Sequence, residues 1–196
     1  MRYSSFAGSV LLAAIIAVTP ALSVTAAELE GVKADDSIKV AGKDLVLQGL
    51  GLRKKAIFRV YVAALYVPEK KASAEELIAQ KGPRRVTLFL LRNLSAEDIS
   101  KALLEGMEKN HSEVQMATLK DRAVQLVATF NSVKQLKEGE QATLEYTPEG
   151  GTQIFINGNK TGAAIAGEDF YAAILRIWLG NEPADAGLKK GWLGAK

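Results

Sequence analysis

The sequence predicts an α+β fold, in which an antiparallel sheet carries its helices as a separate layer. Residues 57–67 are a nearly uninterrupted run of strand-forming residues, which is typical of a strand that is covered on both faces. Two amphipathic helical patterns follow each other after residue 95, and three short strand patterns joined by turn signals come after them. Strands and helices that occur in separate blocks favour an α+β domain.

The N-terminal segment reads as a secretory signal peptide that comprises residues 1–27. Arg2 supplies a positive start, residues 6–18 are apolar, and Pro20 and the small residues before Glu28 favour cleavage over retention as an anchor. No other apolar run is long enough to span a membrane. We therefore expect a bacterial protein that is periplasmic or secreted, with residues 28–196 forming a single domain.

The composition excludes several function classes. The chain has no cysteine, so thiol catalysis and disulfides are excluded. Its single histidine, His111, lies in a polar stretch that we expect to be exposed, which argues against a metal site or a serine-histidine-aspartate triad. A formal net charge of +3 is too small to indicate nucleic-acid binding. We expect no cofactor and no metal.

The first half of the chain carries strand signals and one short helix. Residues 28–36 are polar and are expected to be irregular, whereas residues 37–40 and 44–48 flank a turn and predict a pair of strands. A hairpin then leads into the run at 57–67. Ser73 opens a short helix with a capping box, and residues 86–91 form a strand that is predicted to lie beside the central one.

The second half predicts two paired helices, a meander and a closing helix. Ser95 is the predicted N-cap of a helix with an apolar stripe, and residues 119–133 repeat that pattern. Three strands are predicted at 140–146, 152–156 and 161–165, followed by a helix over 168–180. The tail contains Trp192, and the sequence leaves open whether this residue docks on the body or frays.

The segment GLGLR at residues 49–53 is the most informative local feature. Its two glycines allow the backbone to bend or another group to approach closely. Arg53 lies between two apolar strands, where a guanidinium needs an anion. The alternative is that Arg53 is solvated at the hairpin beside Lys54 and Lys55.

GLGLR followed by FRVYVAALYVP resembles the signature of the chalcone isomerase-like family. In that family a Gly-x-Gly-x-Arg segment leads through a hairpin into a strand that ends in a Val-Tyr or Leu-Tyr pair, here Leu65 and Tyr66. A weaker Thr-Gly motif lies ahead of the last helix, at residues 159–162. The resemblance covers most of the chain after the leader. It implies an open-faced β-sandwich, a curved antiparallel sheet with a layer of helices and a ligand cleft between them.

The resemblance also implies ligand-binding residues. Arg53 matches the family arginine that binds an oxyanion or carboxylate, and Thr161 resembles a threonine that contacts ligand. Tyr61 falls where the fatty-acid-binding branch pairs a tyrosine with its arginine. Tyr66 belongs to the strand-end pair, and Lys101 stands in for a lysine on the first long helix, although the tyrosine and asparagine that accompany it in true isomerases are absent.

These features favour a non-catalytic binding protein for fatty acids or similar apolar carboxylates. An arginine at the head of an apolar cleft suits an amphipathic anion. One alternative is an isomerase or lyase with an unknown substrate. The other is a scaffold that binds a partner protein, with its cleft closed by side chains and Arg53 paired with Glu97 or Asp98.

Overall fold

The structure is a computed structural model, and it describes residues 26–194. The strands are β1 (Ala26–Leu29), β2 (Val32–Asp35), β3 (Ser37–Val40), β4 (Lys43–Lys55), β5 (Phe58–Val67), β6 (Arg84–Leu90), β7 (Leu94–Ser95), β8 (Gln135–Leu136), β9 (Gln141–Thr147), β10 (Gly151–Ile156) and β11 (Asn159–Ile165). The helices are α1 (Ala74–Ala79), α2 (Ala96–Glu108), α3 (Glu113–Asn131), α4 (Glu168–Leu179) and α5 (Ala186–Trp192). The predicted leader lies outside the described residues, apart from Ala26 and Ala27 in β1.

Seven strands form one curled antiparallel sheet in the order β11-β10-β9-β6-β5-β4-β3. The predicted position of residues 57–67 inside the sheet is confirmed, because β5 pairs with β4 on one side and β6 on the other. Its side chains alternate between the two faces. Ala63 and Leu65 belong to the main core under the helices, whereas Ala64 and Tyr66 belong to a smaller core on the other face.

The prediction that residues 28–36 are irregular was wrong, because part of this segment forms a hairpin beside the smaller core. Residues 28–36, expected to be irregular, contribute to the hairpin of β1 and β2. Ala34 is buried in the smaller core with Val40, Leu45 and Leu47. Most other side chains of this hairpin face solvent, so the sequence lacks the apolar alternation that normally reveals a strand.

The helices cover the other face of the sheet, as predicted. α2 packs on α3 and also on α4, and its stripe of Ile99, Leu103 and Met107 is buried. α3 begins at Glu113, earlier than predicted, because Ser112 and Gln115 form a capping box inside the polar stretch. Within residues 26–194, none of the helices combines the length and apolarity required to cross a membrane.

The glycines of GLGLR allow the C-terminal helix to lie directly on the sheet. A Cβ at Gly51 would stand 2.6 Å from the carbonyl oxygen of Leu188, and one at Gly49 would stand 2.5 Å from that of Gly191. α5 therefore contacts β4 backbone to backbone. Trp192 is fully buried and its Nε1 donates to the carbonyl oxygen of Ala63 over 2.9 Å, so the tail docks on the body.

Arg84 is buried in the core, and the fold supplies most of its partners. Its guanidinium lies 5.0 Å from the ring centroid of Tyr146 and 5.2 Å from that of Tyr171. It donates to the carbonyl oxygen of Ile78 and to the carboxylate of Glu168. Burial lowers the pKa of Arg84, and the charges of Tyr171 and Glu168 oppose this shift. Arg84 thus joins β6 to α1 and α4.

A methyl group at Gly51 should destabilise the fold. We expect Gly51→Ala to lower the free energy of unfolding by at least about 2 kcal/mol, because the added atom overlaps the backbone of α5, which cannot rotate away. Urea denaturation measures this loss. Gly187→Ala is the control, because its added atom meets only a side-chain oxygen of Asp185, at 3.1 Å. Equal stabilities of the two variants would contradict the role assigned to Gly51.

Alkaline pH should destabilise the fold through Tyr66. This hydroxyl donates to the carbonyl oxygen of Asp35, and burial followed by the charge of Asp35 raises its pKa to about 12. An unfolded tyrosine loses its proton near pH 10. Above that pH the unfolded chain binds fewer protons than the folded one, so stability falls until the folded pKa is passed. Urea denaturation at pH values on either side of 10 should show a smaller loss in Tyr66→Phe, and an equal loss would contradict this assignment.

Candidate functional site

A cavity of about 420 Å³ lies between the sheet and the helical layer. Most of its wall is apolar and comes from β5, β6, α2, α3, α4 and the strands β8 and β9: Val60, Leu88, Leu90, Ile99, Ala102, Leu103, Phe130, Leu136, Ala142 and Ile177. Its polar lining comes mainly from the hairpin of β4 and β5, the segment after β6 and the start of α2: Arg53, Lys55, Tyr61, Arg92, Asn93 and Asp98, together with Trp178 of α4. The predicted cleft is therefore open, which contradicts the alternative in which side chains close it.

Arg53 lies in the wall of this cavity, opposite Tyr61 in the ladder between β4 and β5. Residues opposite each other in a ladder point to the same face of the sheet, and the guanidinium lies 5.6 Å from the centroid of the Tyr61 ring. The register shifts between Arg53 and Lys54, which places Val60 as well as Tyr61 on the cavity wall.

The guanidinium of Arg53 is only partly satisfied by the protein. Its Nε is buried and has no hydrogen-bond partner among the described residues. No carboxylate within residues 26–194 lies near enough to form an ion pair with it, so the predicted pairing with Glu97 or Asp98 does not occur. Asp98 instead accepts a hydrogen bond from the hydroxyl of Ser95 over 2.7 Å. Arg53 thus differs from Lys54 and Lys55, which are exposed as the solvated interpretation expected.

Tyr61 presents a neutral hydroxyl beside Arg53. Its oxygen accepts a hydrogen bond of 2.8 Å from Nε1 of Trp178. Burial raises the pKa of Tyr61, and the charge of Arg53 and the bond from Trp178 oppose that shift without cancelling it. The phenol is therefore protonated at neutral pH. With its oxygen already accepting from an indole, its own hydrogen is available to a ligand.

Trp178 is a cavity residue that the sequence did not reveal. The pattern placed it correctly on the apolar side of the last long helix, but its partner Tyr61 is 117 residues away. The indole of Trp192 lies 5.7 Å from that of Trp178 and supports it from behind. The docked tail is thus connected to the cavity wall through two tryptophans.

The structure does not bring three other predicted ligand-binding residues to this cavity. Tyr66 lies on the opposite face of β5, an odd number of residues from Tyr61. Lys101 is exposed on α2, 3.9 Å from Glu105. Thr161 lies on the edge strand β11, where its hydroxyl donates to the carbonyl oxygen of Asn159. Their roles in ligand binding stay predictions, and this geometry gives them no support.

Comparisons with known proteins agree with the fold. The model of a family described as chalcone isomerase-like matches residues 26–194. Among solved structures, a fatty-acid binding protein of Arabidopsis thaliana is similar, with a TM-score of 0.68 and 17% sequence identity; the match covers 86% of this chain and 96% of the plant protein. At that identity the likeness shows the fold. A comparison with curated protein sequences found no match.

The bond between Tyr61 and Trp178 should contribute measurably to stability. We expect Tyr61→Phe to lower the free energy of unfolding by about 1–3 kcal/mol, because it leaves a buried indole N–H without a partner. Urea denaturation of Tyr61→Phe, Trp178→Phe and the double variant gives the coupling between the two side chains. We expect the effects to be less than additive by about 1 kcal/mol. Strict additivity would show that the bond contributes nothing.

Proposed function

The chain belongs to the chalcone isomerase-like family, and we propose that it is a non-catalytic, periplasmic binding protein for fatty acids or similar apolar carboxylates. In this proposal the ligand carboxylate accepts hydrogen bonds from Arg53 and Tyr61, and the alkyl chain lies along the apolar wall of the cavity. The periplasmic location is supported by the predicted signal peptide at residues 1–27.

The observation that carries this proposal is that Arg53 lines the cavity with its buried Nε unpaired and with no ion pair among the described residues, whereas Arg84 is paired with Glu168. A buried polar group without a partner costs about 1–3 kcal/mol, and a charged group costs more. A carboxylate in the cavity removes that cost, because it accepts from the guanidinium and from the Tyr61 hydroxyl together. Both polar groups are donors, so the pair suits an anion better than a cation or a neutral donor.

The apolar wall supplies most of the expected affinity. A volume of about 420 Å³ lies within the range of about 300–1,000 Å³ that is common for small-molecule sites. Each buried methylene contributes about 0.8 kcal/mol, so a chain of several carbons outweighs the contact at its head. We infer that the tail sets the affinity, whereas Arg53 sets the orientation. The plant structure with the same fold is named as a fatty-acid binder, which also supports this ligand class.

Native mass spectrometry of protein purified without detergent tests the proposal. We expect wild type to carry, or to take up from added fatty acid, an adduct of fatty-acid mass. Arg53→Met keeps most of the side-chain volume and removes the charge-assisted bonds, and it should weaken binding by about 10- to 100-fold.

The matched control is Arg59→Met. Arg59 is on the same hairpin but does not line the cavity, and its guanidinium pairs with Glu30 on the surface. It should bind like wild type. If wild type takes up no fatty acid, the proposal is wrong. If both variants bind fatty acid as wild type does, Arg53 does not bind the carboxylate, and that part of the proposal is wrong.

A further inference from the structure

Two large apolar side chains, Ile57 and Phe58, are exposed to solvent where β4 turns into β5. Ile57 is 88% exposed and Phe58 is 53% exposed, although both lie in a chain whose other large apolar residues are mostly buried. Lys55 pairs with Phe58 in the ladder, so only Ala56 and Ile57 form the turn, with Ala56 in the left-handed region at a φ of 53°. We call residues 54–59 the hairpin tip.

The hairpin tip is surrounded by positive charge. Lys54 and Lys55 are exposed and form no ion pair with other described residues. Arg92 lies 4.6 Å from the centroid of the Phe58 ring and likewise has no carboxylate partner among residues 26–194. Arg59 is paired with Glu30.

Two further carboxylates lie near the tip, and each already accepts hydrogen bonds. Asp98 accepts from Ser95, and Asp185 accepts from the backbone N–H groups of Lys54 and Leu188. Together with Glu30 they offset part of the charge of Lys54, Lys55, Arg59, Arg92 and Arg53. Among these named groups, five cations stand against three carboxylates, so their sum is positive.

The hairpin tip is also part of the cavity mouth. Lys55, Ala56, Phe58 and Arg92 line the cavity, whereas Ile57 and Lys54 do not. Whatever covers the exposed ends of Ile57 and Phe58 therefore faces the opening into the apolar interior. The hairpin tip thus combines exposed apolar side chains, neighbouring lysine and arginine side chains, and residues that line the cavity.

We propose that the hairpin tip docks the protein on the surface of an anionic lipid bilayer. Apolar side chains that enter the interface together with lysines and arginines that meet anionic headgroups are the two components of interfacial binding. A stable interface with another protein buries at least about 1,000 Å², and two side chains at a two-residue turn are too small a surface for that. The docking does not depend on the proposed function. Only its consequence, that ligand enters from the bilayer, rests on fatty-acid binding.

Vesicle flotation tests the docking directly. Wild type should float with vesicles of phosphatidylglycerol mixed with phosphatidylcholine, and much less with vesicles of phosphatidylcholine alone. Raising the salt concentration should weaken the interaction with the mixed vesicles. Lys54→Gln should reduce partitioning by about five-fold, which is the usual effect of one basic residue near an anionic surface. Ile57→Ser should reduce it further.

The control combines Val114→Ser with Lys120→Gln on α3, which removes one exposed β-branched apolar side chain and one exposed lysine at another surface. It should float like wild type. Failure of wild type to bind mixed vesicles, or equal losses in the control and the tip variants, would overturn the proposal. So would a dimer, seen by light scattering, that Ile57→Ser converts to a monomer, because the tip would then bind a second copy of the chain.

Two measurements separate this proposal from fatty-acid binding. A fluorescent fatty acid titrated into the protein in solution should bind Ile57→Ser and Lys54→Gln as it binds wild type, since neither residue lines the cavity. Intact mass is measured first, because residues 6–18 would themselves attract vesicles if they were retained. All variants are compared with the same N-terminus. If the protein binds vesicles but no fatty acid, the docking proposal stands and the proposed fatty-acid binding is wrong.

Discussion

The cavity wall depends on one close contact, in which the backbone of β4 packs directly against the backbone of α5. Only glycine at positions 49 and 51 allows this distance, because any larger side chain would overlap the carbonyl groups of the helix. With α5 in place, Trp192 fills the core and supports Trp178, which holds the hydroxyl of Tyr61. The position of Tyr61 in the cavity wall therefore depends on Gly49 and Gly51, because these glycines allow α5 to dock and place Trp192 behind Trp178.

Arg84 and Arg53 show how differently one fold treats the same charged group, although the Nε of each is buried without a hydrogen-bond partner among the described residues. Arg84 is fully buried and has aromatic rings on both sides, a carboxylate and a backbone carbonyl oxygen, and its contacts connect three elements. Arg53 has one ring beside it, no carboxylate within ion-pair distance among the described residues, and a cavity in front of it. A guanidinium that only stabilises the fold resembles the first arrangement. The second arrangement leaves room for a partner from outside the chain, which is the place that the proposed carboxylate ligand would take.

Elements with a strong local signal were predictable from the sequence, and contacts between distant segments were not. The apolar run of β5, the capping box at Ser73 and the turns of the meander each depend on neighbouring residues, and each was predicted where it lies. The hairpin of β1 and β2 was missed because its few buried residues are small and its others are polar. The resemblance to the family signature singled out Arg53 and Tyr61, which do line the cavity, and their contact with a ligand stays a prediction. The contact of Trp178 with Tyr61 joins residues 117 positions apart, and no local pattern encodes it.

The contact between α5 and β4 has a consequence for the order in which the molecule is completed. Gly49 and Gly51 are far from Leu188 and Trp192 along the chain, so their contact closes a long loop. The entropy of closing such a loop has to be overcome before the contact stabilises anything, which makes non-local contacts slow to form. A molecule that has formed its sheet and its other helices still lacks the support of Trp192 behind Trp178. The wall of the cavity is then completed only when α5 docks.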